Sequence, residues 1–101
     1  MFNFSQTISE EIADFFKILG DNTRISILFV LMDGEKSVGE ISRQVKMSSS
    51  AVSHQLRILR QSRFVGSRRD GKSVFYFLCD CHIREILTFS IEHSNERSLQ
   101  K

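Results

Sequence analysis

The apolar residues of this 101-residue chain change their spacing twice, and this change limits the folds that the chain can adopt. Up to about Ser62 they recur every three or four positions, as on the buried face of amphipathic helices. Residues 64–69 and 73–78 are then rich in β-formers and flank Asp70-Gly71, a dipeptide typical of two-residue hairpin turns. Helical spacing returns in the last quarter. The sequence therefore predicts a helical majority with one β-hairpin.

Four helices are predicted before the hairpin and one after it. Ser9 is a candidate N-cap for the first helix, and Gly20 is expected to end it in the left-handed conformation. Ser37 opens the third helix, with Glu40 as its capping-box partner. The predicted bounds are 9–19, 21 or 22 to near 33, 37 to before 47, 51 to about 62, and 80 to about 95. This order predicts an α+β, mainly helical fold, a winged helix-turn-helix, as a single domain over residues 1–101.

Charge is concentrated in the middle of the chain. Residues 36–72 carry nine basic and two acidic side chains, whereas the rest of the chain carries five basic and ten acidic ones. The net charge of +2 therefore divides into +7 in the centre and −5 outside it. A basic centre is expected of a polyanion-binding protein, although a solvated face of scattered charges would also produce it.

The fourth predicted helix has one apolar and one polar side. Val52, Leu56 and Leu59 fall on a single stripe, which is expected to face the core. The other side carries hydroxyls, an imidazole and a guanidinium, groups that approach base edges and phosphates closely. In a helix-turn-helix, the second helix enters the major groove of double-stranded DNA by its N-terminal end. The serines would also suit helix caps, and the histidine an ordinary surface position. The predicted DNA contacts are Ser50, Ser53, His54 and Arg57 on this helix and Arg68, Arg69 and Lys72 at the hairpin tip.

Two segments resemble the ArsR/SmtB family of metal-sensing repressors. Residues 19–28 read LGDNTRISIL and residues 50–59 read SAVSHQLRIL, and the resemblance extends over about residues 8–96. Asn22 departs from the family, in which many members carry proline at this position. The resemblance implies a homodimer, joined by its N- and C-terminal helices, that represses transcription on operator DNA and is released by a metal ion. It also implies that Ser49, Ser50, Ser53 and His54 face the DNA groove.

Acidic and imidazole groups stand at both ends of the last helix. His82 and His93 are eleven residues apart, about 16 Å along one helix, so they share a face but cannot bind one ion. In an antiparallel pair of these helices, with the two-fold axis near residues 87 and 88, His82 lies opposite the partner's His93. Asp80 and Glu96 complete two sites of four ligands, and the spacing Asp-x-His-x10-His-x2-Glu matches the C-terminal zinc site of the SmtB-like and CzrA-like subgroup. Such ligands suit Zn²⁺ as an allosteric effector, with Co²⁺ and Cd²⁺ as further candidates.

Each of these four residues also has an ordinary structural explanation. Asp80 suits the N-cap of the last helix, and either histidine suits a surface or interface position. Glu96 is a charge near a helix end, where the helix dipole disfavours it.

The last helix is also apolar on two sides. Ile86 and Phe89 lie on one stripe, whereas Ile83, Leu87 and Ile91 lie on another. A helix with two apolar faces needs two partners, so we expect one face to meet the core and the other to meet a second protomer.

Other functions stay open at this point. Cys79 and Cys81 would serve a thiol-redox-responsive repressor, and winged helices also act as protein-interaction modules. The family's second kind of metal site uses two thiolates in the helix before the recognition helix, but Ser42 and Gln44 occupy those positions. An enzyme is not expected, because the sequence shows no nucleophile–base pair and no phosphate-cradling loop.

The sequence also predicts a cytoplasmic protein. No apolar run approaches 18 residues, and the first residues lack the basic start and small-residue cleavage site of a signal peptide. Two cysteines one residue apart cannot staple a fold, which favours a reducing compartment.

Overall fold

The computed structural model describes the chain from residue 5 to residue 99, and its side chains as far as Glu96. Five helices and three short strands follow one another along this part of the chain. In order they are α1 (Gln6–Leu19), α2 (Asn22–Met32), β1 (Lys36–Ser37), α3 (Val38–Val45), α4 (Ser49–Gln61), β2 (Val65–Asp70), β3 (Ser73–Leu78) and α5 (Cys81–Leu99). The predicted fold class, a mainly helical winged helix-turn-helix, is confirmed. No described helix is both long and apolar enough to cross a membrane.

The predicted start of the first helix is wrong, and its end at Leu19 is right in position but not in the conformation of Gly20. Ser5 caps α1, because its hydroxyl accepts the N–H of Ile8 at 3.1 Å. Ser9 already lies inside the first turn, where its N–H donates to the Ser5 carbonyl at 3.1 Å. Gly20 ends the helix as predicted but has φ −80°, outside the left-handed region.

The next helix starts follow their local signals more closely. Asp21 caps α2 by accepting the N–H of Arg24 at 3.0 Å. The capping box between Ser37 and Glu40 at the start of α3 is confirmed. The fourth helix begins at Ser49 rather than at the predicted Ala51, because the Ser48 hydroxyl accepts the Ala51 N–H at 3.1 Å.

The strands form one antiparallel sheet in the order β1-β3-β2. Asp70 pairs with Ser73, so the two turn residues are Gly71 and Lys72 rather than the predicted Asp70-Gly71. Gly71 has φ 63°, which glycine adopts without steric cost. The two-residue strand β1 was not predicted, and it extends the hairpin by pairing with β3.

The core lies between the helices and one face of the sheet. Phe15 of α1 stacks on Phe64, just before β2, with ring centroids 4.8 Å apart. Every helix contributes to the buried cluster, although α5 does so only in its first half. Its members are Leu19, Ile27, Leu28, Leu31, Ile41, Val52, Leu56, Leu59, Phe64, Val65, Ile83 and Leu87.

Candidate nucleic-acid interface and metal centre

The polar face of α4 is exposed to solvent. Val52, Leu56 and Leu59 are buried, as their spacing predicts, and they fix the opposite side of α4 outward. The exposed predicted contacts on and around α4 are Ser49, Ser50, Ser53, His54 and Arg57. Since no acidic residue stands in α4, this face carries only neutral or positively charged groups.

A tight connection orients α4 relative to α3. Lys46 has φ 59°, a left-handed conformation that ends α3. The Ser42 hydroxyl donates to the Met47 carbonyl, and the Met47 N–H donates back to the Ser42 carbonyl at 3.2 Å. This interlocked turn joins the two helices of the helix-turn-helix.

Arg24 ties α4 to the first two helices. Its Nε donates to Oε1 of Gln55 at 2.9 Å, and its Nη1 donates to the Ile18 carbonyl at 3.3 Å. One guanidinium therefore connects the end of α1, the start of α2 and the middle of α4. Arg24 and Gln55 both lie in the two segments that carry the family resemblance, but their contact could not be read from the spacing of residues 31 positions apart.

The two adjacent arginines of the hairpin have different surroundings. Arg68 pairs with Glu35, and its guanidinium carbon lies 5.1 Å from the centre of the Phe75 ring. Arg69 pairs in the sheet with Val74 and therefore projects from the opposite face. Within residues 5–96, Arg69 and Lys72 form no ion pair, so they are the wing cations available to an anionic partner.

Asp80 and His82 meet at the start of α5. Asp80 Oδ1 accepts the N–H of His82 at 2.9 Å and that of Ile83 at 3.2 Å, so Asp80 does act as a helix cap. The same oxygen lies 3.6 Å from Nδ1 of His82. Both side chains are substantially exposed, and the other carboxylate oxygen, Oδ2, makes no hydrogen bond with the described residues. Capping and metal binding are therefore compatible roles for Asp80.

His93 and Glu96 stand one turn apart and exposed in the second half of α5. One protomer does not bring these two residues to Asp80 and His82. Among the described residues, no group of three histidine, cysteine, aspartate or glutamate side chains is arranged to hold a metal ion. In one protomer, the four predicted ligands therefore lie as two separate pairs, one near each end of α5.

An apolar surface runs along α1, α2 and the second half of α5. Ile83 and Leu87 of α5 face the core, whereas Phe89 is 66% exposed. Ile91, on the same predicted stripe as Ile83 and Leu87, is 39% exposed because the core ends before it. An open apolar groove continues the surface; its lining includes Phe16, Ile25, Phe29, Ile86 and Ser90.

The two cysteines flank Asp80 and are free and exposed. Cys79 also joins the wing to α4 through the backbone. Its N–H donates to the Phe64 carbonyl at 3.0 Å, and the Phe64 N–H donates to the Leu59 carbonyl at 2.8 Å. Cys79, the residue before Asp80, is thus connected to the last turn of α4 through two main-chain hydrogen bonds.

Two residues outside the predicted set of DNA contacts stand beside it. Arg60 of α4 and Tyr76 of β3 line one depression together with Ser53 and Arg57. Residues 53, 57 and 60 are spaced so that they lie on one stripe of a helix, and this spacing could have indicated Arg60 from the sequence. The approach of Tyr76 depends on how the wing packs on α4 and had no local signal.

Known proteins share both the sequence and the fold of this chain. Residues 21–67 match the model of a family described as bacterial regulatory protein, arsR family. A transcriptional repressor SmtB homolog of Synechocystis is 39% identical over 88 residues, which are 87% of this chain and 67% of that protein. A cadmium resistance transcriptional regulatory protein CadC homolog of Staphylococcus aureus is 33% identical over 87 residues, 85% of this chain and 72% of that protein.

Solved structures share the fold. The crystal structure of Rv0081 from Mycobacterium tuberculosis has a TM-score of 0.83 and 35% identity, with 95% of this chain and 96% of that chain covered. The homodimeric winged helix-turn-helix DNA-binding domain of Mb0332 from Mycobacterium bovis has a TM-score of 0.82. Its identity is 23%, and the match covers 95% of this chain and 92% of that one, so it supports the fold alone.

Proposed function

Because the chain belongs to the ArsR family of bacterial regulatory proteins, we propose that it is a transcriptional repressor that binds operator DNA as a homodimer and releases it when a divalent metal ion binds. The observation that carries this proposal is the exposed face of α4, free of acidic residues and flanked by the wing cations Arg69 and Lys72. A protein that acts on bacterial DNA works in the cytoplasm.

The DNA-binding residues divide into two roles. Ser49, Ser50, Ser53 and His54 occupy the first half of α4, the half that enters the major groove in this architecture, and we assign them to base edges and nearby phosphates. Arg57, Arg69 and Lys72 carry the charge that holds the DNA backbone. Arg68 is the weakest of the predicted contacts, since Glu35 already neutralises it.

A second copy of the chain is the occupant we propose for the apolar surface of α1 and α5. Ile8, Ile12 and Phe16 recur at helical spacing along α1 and are all exposed. Phe89 and Ile91 extend this surface onto α5. Exposed apolar area of this kind on a small domain marks an interaction surface, and a two-fold dimer would also give two copies of α4 for two operator half-sites.

The four candidate metal ligands fit a site shared between protomers. Asp80 and His82 are adjacent and exposed at one end of α5, and His93 and Glu96 are exposed at its other end. Two imidazoles and two carboxylates are a donor set suited to Zn²⁺, and also to Co²⁺ or Cd²⁺. When bound, the ion would supply a cross-link between the two α5 helices of the dimer. At Asp80 this cross-link would lie next to the base of the wing. Main-chain hydrogen bonds connect the base of the wing to the end of α4.

The test is a DNA-release titration with Zn²⁺, Co²⁺ and Cd²⁺ at fixed salt. The wild-type protein is expected to bind operator DNA without metal and to release it on metal addition. His82→Ala, His93→Ala and Glu96→Gln are expected to bind DNA normally and to lose release. Release that persists in all three variants would remove the C-terminal site from the proposal, and a wild type that never binds DNA would remove the repressor function itself.

The exposure of Cys79 and Cys81 favours one second candidate, a repressor that responds to thiol oxidation. The double variant Cys79→Ser/Cys81→Ser distinguishes a metal-responsive repressor from a thiol-responsive one. If the variant still releases DNA with Zn²⁺, the cysteines are not the metal sensor; if an oxidant releases the wild type but not the variant, the thiol-responsive repressor is supported.

A further inference from the structure

A polar groove separates α4 from the wing. Ser53, Arg57 and Arg60 line it from α4, and Tyr76 lines it from β3. Leu56, which is buried, lies between them. We propose that this groove binds one backbone phosphate of the DNA and that Arg60 and Tyr76 are its further binding residues, an inference that rests on the DNA-binding function proposed above.

The helix and the sheet position these side chains independently. Residues 53, 57 and 60 follow one another at intervals of four and three, which places them on one stripe of α4 beside the buried Leu56. Tyr76 pairs with Lys36 on one side and with Ser67 on the other, so these three side chains share one face of the sheet. Tyr76 and Leu78 on that face also pack against the core. The groove is therefore set by rigid elements rather than by a loop.

The chemistry of the groove matches an oxygen anion with several acceptors. Two guanidiniums and two hydroxyls line it, and no carboxylate does. Within the described residues, the side chains of Ser53, Arg57, Arg60 and Tyr76 make no hydrogen bond or ion pair. Guanidinium forks bind phosphate oxygens with two parallel hydrogen bonds, and a tyrosine hydroxyl can donate a further one.

The place of the groove on α4 indicates which phosphate it takes. The N-terminal half of α4 enters the major groove, whereas Arg60 stands in its last turn. A group there meets the backbone at the edge of the major groove rather than the bases. The contact would fix the position of the protein on DNA without reading sequence, so it should operate on any duplex.

The experiment uses the full chain and a labelled duplex of arbitrary sequence, about 30 base pairs long, enough for two half-sites one turn apart. Affinity is measured over a range of salt for wild type, Arg60→Gln, Tyr76→Phe and the control Lys17→Gln, which removes an exposed charge on α1. Arg60→Gln is expected to reduce the slope of log K against log salt by about 1 for each protomer. Tyr76→Phe is expected to weaken binding about tenfold with an unchanged slope, because it removes one hydrogen bond to a charged group but no charge.

Tyr76 also provides a direct signal, because the chain has one tyrosine and no tryptophan. Its fluorescence is followed as the duplex is added, with free N-acetyltyrosinamide correcting for absorption by DNA. A saturable change with duplex, but not with inorganic phosphate at equal ionic strength, supports a DNA phosphate as the ligand. Saturation by inorganic phosphate that Arg60→Gln abolishes would instead show a free-anion site and overturn the proposal.

The remaining outcomes separate this inference from the proposed function. If wild type binds DNA with a steep salt dependence and both groove variants behave as Lys17→Gln does, the groove is not a phosphate site although the repressor function stands. If wild type does not bind duplex DNA at low salt, the DNA-binding function fails and this inference fails with it.

Discussion

Arg24 on α2 donates its Nε hydrogen to the side-chain oxygen of Gln55 on α4 across 2.9 Å. The two residues are 31 positions apart, and both are partly buried. Gln55 lies on the flank of α4 between its buried stripe and its exposed face. This bond therefore adds to the buried stripe of α4 in fixing the rotation of the helix about its own axis, which decides which side chains the helix presents to a partner.

Gln55→Ala is expected to lower the free energy of unfolding by about 1 kcal/mol, the net contribution of one hydrogen bond, and to weaken DNA binding. The matched control is Gln61→Ala at the exposed end of the same helix. Urea unfolding measures the first effect, and duplex titration measures the second. Equal stability and affinity in the two variants would show that the Arg24 contact does not hold α4.

The two wing arginines should differ in their contribution to DNA binding. Arg69→Ala is expected to reduce the salt slope of DNA affinity by about 1 per protomer, because Arg69 lies on the sheet face that carries Tyr76, which borders α4, and has no ion-pair partner within residues 5–96. Arg68→Ala is expected to reduce it less, because Glu35 already pairs with this guanidinium. The two variants control for each other, and a larger effect at Arg68 would contradict this assignment.

The double role of Asp80 can be divided by two substitutions. Asp80→Asn should keep the stability of α5 within about 0.5 kcal/mol, since asparagine caps helices as well as aspartate does. It should weaken Zn²⁺ binding by about 10-fold to 100-fold or more, the range seen when even outer partners of a metal are lost. Asp80→Ala should lose both the helix cap and the metal ligand. Loss of the cap should lower the free energy of unfolding by about 1 kcal/mol. Calorimetric titration with Zn²⁺ and thermal unfolding distinguish the cases, and undiminished Zn²⁺ affinity in Asp80→Asn would leave Asp80 as a cap only.

Phe89 tests the proposed dimer. Phe89→Glu places a charge on the exposed apolar surface and is expected to yield monomers in sedimentation equilibrium. Phe89→Leu keeps the surface apolar and should remain dimeric. If Phe89→Glu dimerises as strongly as wild type, the second protomer does not cover this part of α5.

The capping box of α3 predicts a dependence of stability on pH. The Ser37 backbone N–H and hydroxyl hydrogen bonds hold the pKa of the Glu40 carboxyl below its usual value of 4.5. Because the folded pKa is the lower one, this contribution is fully present above about pH 4.5 and is lost as the pH falls through the folded pKa. The stability advantage of wild type over Glu40→Gln should therefore shrink in acid, as measured by urea unfolding at a series of pH values. An advantage that grows on acidification would contradict the direction of this shift.

Features that depend on residues close together in the sequence could be predicted. Features that depend on contacts between distant segments could not. The Ser37–Glu40 capping box and the buried stripe of α4 need only residues within a few positions of each other. The cap of α1 was misplaced because Ser5 and Ser9 both satisfy the local preference, and only the structure shows which of them ends the hydrogen-bonded ladder.

The candidate site shows the same division more sharply. The charge of the wing was evident from composition, but the register that turns Arg69 toward α4 and Arg68 toward Glu35 is a property of the sheet. A shift of one residue would exchange their faces. The approach of Tyr76 to Arg60 likewise depends on the packing of the hairpin against α4.

The link from Cys79 through Phe64 to Leu59 consists of main-chain hydrogen bonds alone. Replacing any of these side chains leaves the amide and carbonyl groups in place, so alanine scanning would pass over the connection between the start of α5 and the end of α4. Only a change that removes an amide hydrogen, such as proline or an ester linkage at position 79, would interrupt it. At Cys79, whose side chain is exposed, a substitution other than proline therefore leaves this connection between α5 and α4 intact.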